Sequence, residues 1–208
     1  MSVQLESLFD TPARARMSAD EYIASPQSAH KSDLIEGVFV MASPASLEHA
    51  TVQQFMITTL SNFVNTRRLG IVLGENAAYR LNDDNVYQPD VSFLSNARLH
   101  LAGEVYVDGA PDLAVEITSP SSRRYDAFEK RINYARAGVQ EYWLVDPIER
   151  SVAIYVSEQE QFVRVQPIDD RLHSRVLPGF WLQLDWVFPP EGAARPSELD
   201  VARAQGLI

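Results

Sequence analysis

The sequence predicts an α+β fold with an α/β-like core, a mixed β-sheet flanked by helices and carrying extra β-hairpins. Three observations lead there. Residues 113–145 read as strand, helix and strand with short links, the crossover unit that joins parallel strands. Residues 49–67 carry Val52, Phe55, Met56, Leu60, Phe63 and Val64 at three- and four-residue steps, the pattern of an amphipathic helix. Residues 151–156 and 161–166 alternate around Glu158-Gln159-Glu160, which reads as a hairpin. A chain of 208 residues suits a single domain. Its expected parts are a loose arm over 1–16, a core over 17–156 and a β-strand and tail extension over 157–208.

Taken in order, Ser18-Ala19-Asp20-Glu21 has the spacing of a capping box and predicts a short helix to about residue 24. Residues 33–41 read as a strand or tight hairpin turning at Gly37. After the long helix come strands at 71–73 and 77–81, a turn at 82–85 and a strand over 86–94. Residues 95–109 read as an exposed linker. Leu113, Val115 and Ile117 alternate with Ala114, Glu116 and Thr118, a period of two. Ser121 or Ser122 is expected to cap the crossover helix, and Gly138 to end it. Tyr142-Trp143-Leu144-Val145 is a continuous apolar run, as in strands buried on both faces. Residues 176–184 read as a terminal strand carrying an aromatic pair, followed by a polar tail with a short helix.

Composition narrows the function. The chain has no cysteine, which excludes disulfides, zinc–thiolate sites and cysteine nucleophiles. No signal peptide or span-length apolar run is visible, so a cytoplasmic location is expected. A net charge of −10 argues against a general nucleic-acid coating protein. It leaves room for a nuclease with a local metal site, because the metal brings its own charge to the phosphate. No P-loop, dinucleotide fingerprint or nucleophile elbow is present.

The residues able to carry chemistry concentrate between 88 and 146. Asp90 is expected on one strand face with Gln88 and Ser92, and Glu116 on one face with Ala114 and Thr118. If the two strands are neighbours, both carboxylates reach one ion, with ligand oxygens at about 2.1 Å for magnesium. The plainer reading is two solvated acids. Asp112 competes with Asp90 but lies roughly 13 Å from Glu116 at about 3.3 Å per residue, too far to share an ion. Lys130 is expected beside an apolar stripe of Phe128, Ile132 and Ala135, flanked by Asp126 and Tyr134; its plainer reading is a surface ion pair with Asp126. Glu36 could approach the metal, though a strand-end acid is the simpler reading. His49 opens the long helix, where it could bind phosphate, and Glu75 could add a third carboxylate. Gln88 could contact substrate, and Tyr134 could support the lysine. Arg123 and Arg124, with Arg131 and Arg136, are the best candidates for a phosphate path in an otherwise acidic chain, the plainer reading being arginines on a solvated helix.

The run PDLAVEITSPSSRRYDAFEKRINYARAGVQEYWLVDP, with QPDV upstream and LIEG nearer the N-terminus, resembles the Uma-type putative restriction endonucleases, a group placed among the PD-(D/E)XK nucleases. The resemblance covers about residues 17–156 and implies a restriction-endonuclease-like core. It implies that Asp90 and Glu116 are the metal-site acids and that the Ile117 carbonyl is a further ligand. The superfamily's usual lysine is replaced by Thr118, and the resemblance implies that Lys130 on the following helix takes its role. The expected function is Mg²⁺- or Mn²⁺-dependent hydrolysis of DNA phosphodiester bonds. A homodimer is compatible with a double-strand cut, though no dimerisation signature is visible. The alternatives are an inactive nuclease-fold binding or assembly module, and acid–base hydrolysis of a small substrate by Asp90 and Glu116.

Overall fold

Pro89 divides the chain between two sheets. The computed structural model describes residues 16–42, 44–120, 122 and 126–208. The strand expected over 86–94 is two strands, β5 (Asn85–Tyr87) and β6 (Val91–Ser95), in different sheets. Proline has no N–H to give a ladder, so pairing stops there. Asp90 then takes over a strand's work: its Oδ2 accepts the Ile117 N–H at 2.7 Å, and its carbonyl accepts Gln53 Nε2 at 3.0 Å. Gln88 therefore does not share a strand face with Asp90, contrary to expectation.

The first sheet is built from β1 (Ser32–Ile35), β2 (Val38–Met41), β5, β4 (Ala78–Asn82) and β7 (Tyr106–Asp108), in the order β2-β1-β5-β4-β7. β1 and β2 form the expected hairpin, turning through Glu36 and Gly37, both at positive φ (50° and 75°). That two-residue turn matches the right-handed twist of the strands. Ahead of it, α1 (Ala19–Ala24) starts at the Ser18–Glu21 capping box.

The second sheet has the order β11-β10-β9-β8-β6-β3, from β3 (Gly70–Gly74), β6, β8 (Leu113–Ile117), β9 (Glu141–Asp146), β10 (Ser151–Glu158) and β11 (Gln161–Val165). β6 and β8 are antiparallel neighbours, and β8 runs parallel to β9 across the crossover. The helix α2 (Leu47–Arg67) lays Val52, Phe55, Met56, Leu60 and Phe63 against Val91, Phe93, Val115, Ile117 and Trp143 on one face. On the other face Ala114 and Tyr142 meet Tyr134 from the crossover helix and Ile35 and Tyr87 from the first sheet. Burial on both faces explains why β9 reads as an unbroken apolar run.

Three expectations need correction. Residues 95–109 are not a linker: they hold a 3₁₀ helix (Asn96–Leu101) and β7, whose Val107 is buried against Tyr79 and Leu94. The terminal strand is only β13 (Trp181–Gln183), paired with β12 (Arg171–His173). Before it, the backbone N–H groups of Arg175 and Val176 donate to the buried Glu141 carboxylate instead of to a strand. Phe180 turns inward to meet Phe63 edge-on at 5.3 Å, so this extension seals α2, helped by α4 (Leu184–Val187) and α5 (Glu198–Ala204).

The third correction concerns the crossover helix. It opens as a π-helical turn (Asp126–Lys130) and continues as α3 (Arg131–Arg136), ending before Gly138 at φ +87°. Two residues of the expected apolar stripe face outward, Phe128 at 57% and Ile132 at 46% exposure, while Ala135 is buried along with Asp126, Lys130, Asn133 and Tyr134. The polar face wins because its partners are already buried acids and tyrosines of the two sheets. Ser121, one proposed cap, lies outside the described residues, as do residues 1–15 of the expected arm. Among the described residues no helix is long and apolar enough to cross a membrane.

Candidate active site

Where β6 begins and β8 ends, the strand register places Asp90 across from Glu116. Val91 pairs with Val115 and Ser92 with Ala114, so one further step aligns the two acids. Cross-strand partners send their side chains to the same face. Here that face is the floor of a cavity of about 140 Å³, closed by β1, the start of α2 and the π-helical turn. Both acids are buried, at 4% and 2% exposure, so the reading as solvated surface acids does not hold.

Lys130 reaches the same floor from the π-helical turn. Its Nζ is 2.9 Å from Glu116 Oε1, 2.8 Å from Asp33 Oδ2 and 3.5 Å from Asp126 Oδ1. The Asp126–Lys130 pair exists, but it is buried rather than on the surface. The wider π-helical winding, which recurs at functional sites, brings both of its side chains to the interior. Tyr134 donates its hydroxyl to Glu116 Oε1 at 2.7 Å, so it supports the glutamate rather than the lysine.

A second lysine attends Asp90. Lys31 Nζ lies 2.8 Å from Asp90 Oδ1 and 3.9 Å from Glu75 Oε2. His49 Nε2 approaches the same Asp90 oxygen at 3.4 Å, while its buried Nδ1 has no hydrogen-bond partner. Asp33, Glu75, Asp90, Glu116 and Asp126 thus line one cavity with only two ammonium groups among them.

These environments drive the two central acids apart. Burial works to raise Asp90, but Lys31 and His49 outweigh it and hold the carboxyl below its ordinary range. Burial pushes the Glu116 carboxyl up to about 8 against the opposing pull of Lys130, with Asp126 and Asp90 adding to the rise. Asp126 is also raised, first by burial. Burial works against the charge on Lys130, yet Asp33, Glu116 and Asp126 together hold it well above its ordinary value.

The remaining candidates separate. His49, Glu75 and Ile117 line the cavity with the central acids. Glu36 does not: it sits at the β1–β2 turn, where its Oε1 accepts Asn133 Nδ2 at 3.2 Å. Gln88 is also elsewhere. Its N–H donates to Asp33 Oδ1 at 2.8 Å and its side chain bridges Ser32 and Ser28, so it helps to position Asp33. Thr118 is buried with its hydroxyl unpartnered and outside the cavity wall. Arg123 and Arg124 lie outside the described residues.

Sequence reasoning missed Asp33, Lys31 and Asp126 as members of the cluster. Lys31 and Asp33 are two apart entering β1, which puts them on one strand face. That spacing was readable, but what it faced was not. Asp126 and Lys130 have the four-residue spacing of neighbours on a helix; only burial distinguishes a site pair from a surface pair.

An all-oxygen donor set with excess negative charge fits a hard divalent cation. Asp90, Glu116 and the Ile117 carbonyl are the groups able to hold one. Among the described residues no group of three or more acid or histidine side chains is spaced to hold an ion. Magnesium does not require such a group, since one or two carboxylates with several retained waters suffice.

No curated protein matches the sequence. Among solved structures, the crystal structure of a putative nuclease belonging to DUF820 from Anabaena variabilis ATCC 29413 is similar over 83% of this chain and 97% of that one. Its TM-score is 0.71 and its identity 22%, a likeness of fold. The sequence itself carries the kinship further. A family profile described as Uma2, putative restriction endonuclease, matches residues 19–185, a stretch that contains every residue of the acid–lysine cluster, and the chain belongs to that family.

Proposed function

We propose that this chain is a divalent-metal-dependent endonuclease that hydrolyses DNA phosphodiester bonds, with Mg²⁺ or Mn²⁺ held by Asp90, Glu116 and the Ile117 carbonyl. The observation that carries the reading is the meeting of Asp90, Glu116 and Lys130 in one cavity at the ends of two adjacent strands. When bound, the cation supplies Lewis-acid neutralisation of the phosphate and a more acidic water. The chain's own residues do the rest. Lys130 keeps its charge throughout and presents it where negative charge develops on the phosphate. Tyr134 fixes the Glu116 carboxylate, and the Ile117 N–H fixes Asp90. Glu116, raised by burial, would have to be deprotonated to hold a cation. The acidic chain implies that DNA is gripped locally, near Arg131 and Arg136 and, by sequence position, Arg123 and Arg124.

The test pairs two measurements. Manganese titrated by calorimetry should bind the wild type and lose affinity in Asp90→Ala; an affinity unchanged by that substitution removes the metal site. Supercoiled plasmid with Mn²⁺ should be nicked or linearised by the wild type and left intact by Asp90→Ala. A second reading, an inactive nuclease-fold binding or assembly module, draws on one observation: both lysines are already paired with acids. Metal binding at Asp90 with plasmid, linear and single-stranded DNA all intact selects that reading.

A further inference from the structure

Lys31 stands outside every role assigned so far, yet its Nζ lies closer to Asp90 Oδ1 than the His49 ring does. The ion pair at 2.8 Å falls on Asp90 Oδ1, because Oδ2 is taken by the Ile117 N–H. Lys31 enters from the other sheet, 59 residues earlier in the chain, and is 23% exposed, whereas Lys130 at 6% is locked among three acids. A partly exposed lysine on a flexible four-carbon stem has room to move. The structure also supplies somewhere to go. Glu75 Oε2 is 3.9 Å from the same Nζ, on a side chain 41% exposed at the cavity rim.

We propose that Lys31 is a positioning residue that serves as a resident counterion for Asp90, holding the carboxylate in place until a divalent cation displaces the ammonium toward Glu75. The proposal rests on the reading of Asp90 as a metal ligand and adds to it a competitor built into the fold. A carboxylate buried at 4% exposure without a counter-charge is costly. Lys31 covers that cost while the cation is away. Because ammonium and cation compete for one oxygen, each weakens the other's hold by the same factor. Glu75 sets how easily the ammonium leaves, acting through Lys31 rather than on the cation.

The experiment is Mn²⁺ calorimetry on the full chain, with thermal melting as a folding control. Lys31→Gln should bind Mn²⁺ about tenfold more tightly than the wild type, and Lys31→Arg, which keeps the charge, should stay near wild type. Glu75→Gln should weaken binding severalfold, and that loss should vanish in Lys31→Gln/Glu75→Gln. A cycle in which Glu75→Gln costs the same in both backgrounds makes Glu75 a direct ligand and overturns the proposal. Equal or weaker binding by Lys31→Gln, with a wild type that binds through Asp90, also overturns it and leaves the metal site standing. Binding by Lys31→Gln alone supports it. Absence of binding in both removes the metal site itself, and the counterion role with it.

Discussion

The Lys130 ammonium meets the Glu116 carboxylate at 2.9 Å with both side chains almost fully buried. The two are 14 residues apart, one at the end of a strand and the other on a helical turn. Their contact closes the crossover between β8 and β9 from inside. Asp33, Asp126 and Tyr134 join it there, and the Tyr87 ring lies 5.8 Å from the ammonium.

Lys130→Met therefore tests structure and chemistry together. Methionine keeps the length but leaves three buried acids with no cation. Removing one partner of a buried ion pair costs about 3–5 kcal/mol, and that loss is expected in urea unfolding without metal. DNA cleavage should disappear. Mn²⁺ affinity should hold or rise, because the cation inherits the carboxylates. Full cleavage by this variant would make Lys130 purely structural.

The raised Glu116 carboxyl makes metal-free stability depend on pH. In the unfolded chain the group releases its proton near 4.5, but in the folded chain it keeps it up to about 8. The folded state therefore binds more protons across that interval. Its contribution is complete below 4.5 and fades as pH rises through 8. Asp126, also raised, acts in the same direction. Asp90, lowered, acts in the opposite direction, but only below its ordinary 3.8. The melting temperature without metal should fall between about pH 5 and pH 8. Saturating Mn²⁺ should flatten or reverse that fall, and Glu116→Gln should make it shallower, leaving the part that Asp126 contributes. An unchanged slope in Glu116→Gln would assign the effect elsewhere.

Tyr134→Phe removes one hydroxyl and leaves the ring, which packs against Tyr87 and Tyr142. The bond lost is the 2.7 Å donation to Glu116 Oε1. Stability should drop by about 1–2 kcal/mol. A partner that orients a metal-binding carboxylate typically costs about 10–100-fold in affinity or activity when lost, and Mn²⁺ titration should show a loss in that range. Unchanged affinity with reduced cleavage would instead place the hydroxyl against substrate.

Much of this was legible in the chain. The alternation at 113–117, the apolar run at 142–145 and the helix between them were enough to make β8 and β9 parallel neighbours. Asp90 and Glu116 then needed only an antiparallel β6 to face each other. What sequence did not convey was inversion of the crossover helix. Phe128, Ile132 and Ala135 have the spacing of a buried stripe, and only Ala135 is buried. Periodicity measures which residues share a face, and burial depends on what that face meets. Here it meets acids from β1 and β8, so the charged face goes inside. The sheet change at Pro89 was similarly hidden, because residues 86–94 suit a strand on either side of the proline.

Asp112 offers a control for the whole assignment, since it too follows a proline and precedes a strand. Its exposure is 4%, much like that of Asp90, so burial alone does not separate them. Partners do. Asp112 Oδ2 accepts the Ser95 N–H at 2.7 Å, Oδ1 accepts Gln140 Nε2 at 3.2 Å, and Arg98 stands 3.8 Å away. These tie the start of β8 to the end of β6, the 3₁₀ helix after it and the loop before β9, at the opposite end of the strands from the cavity. Asp112→Ala should leave those donors unpaired and cost about 1–3 kcal/mol of stability. At a temperature where the variant remains folded, Mn²⁺ affinity and cleavage per folded molecule should match the wild type. A variant that folds but loses metal binding would show that position 112, not position 90, carries the acid of the site.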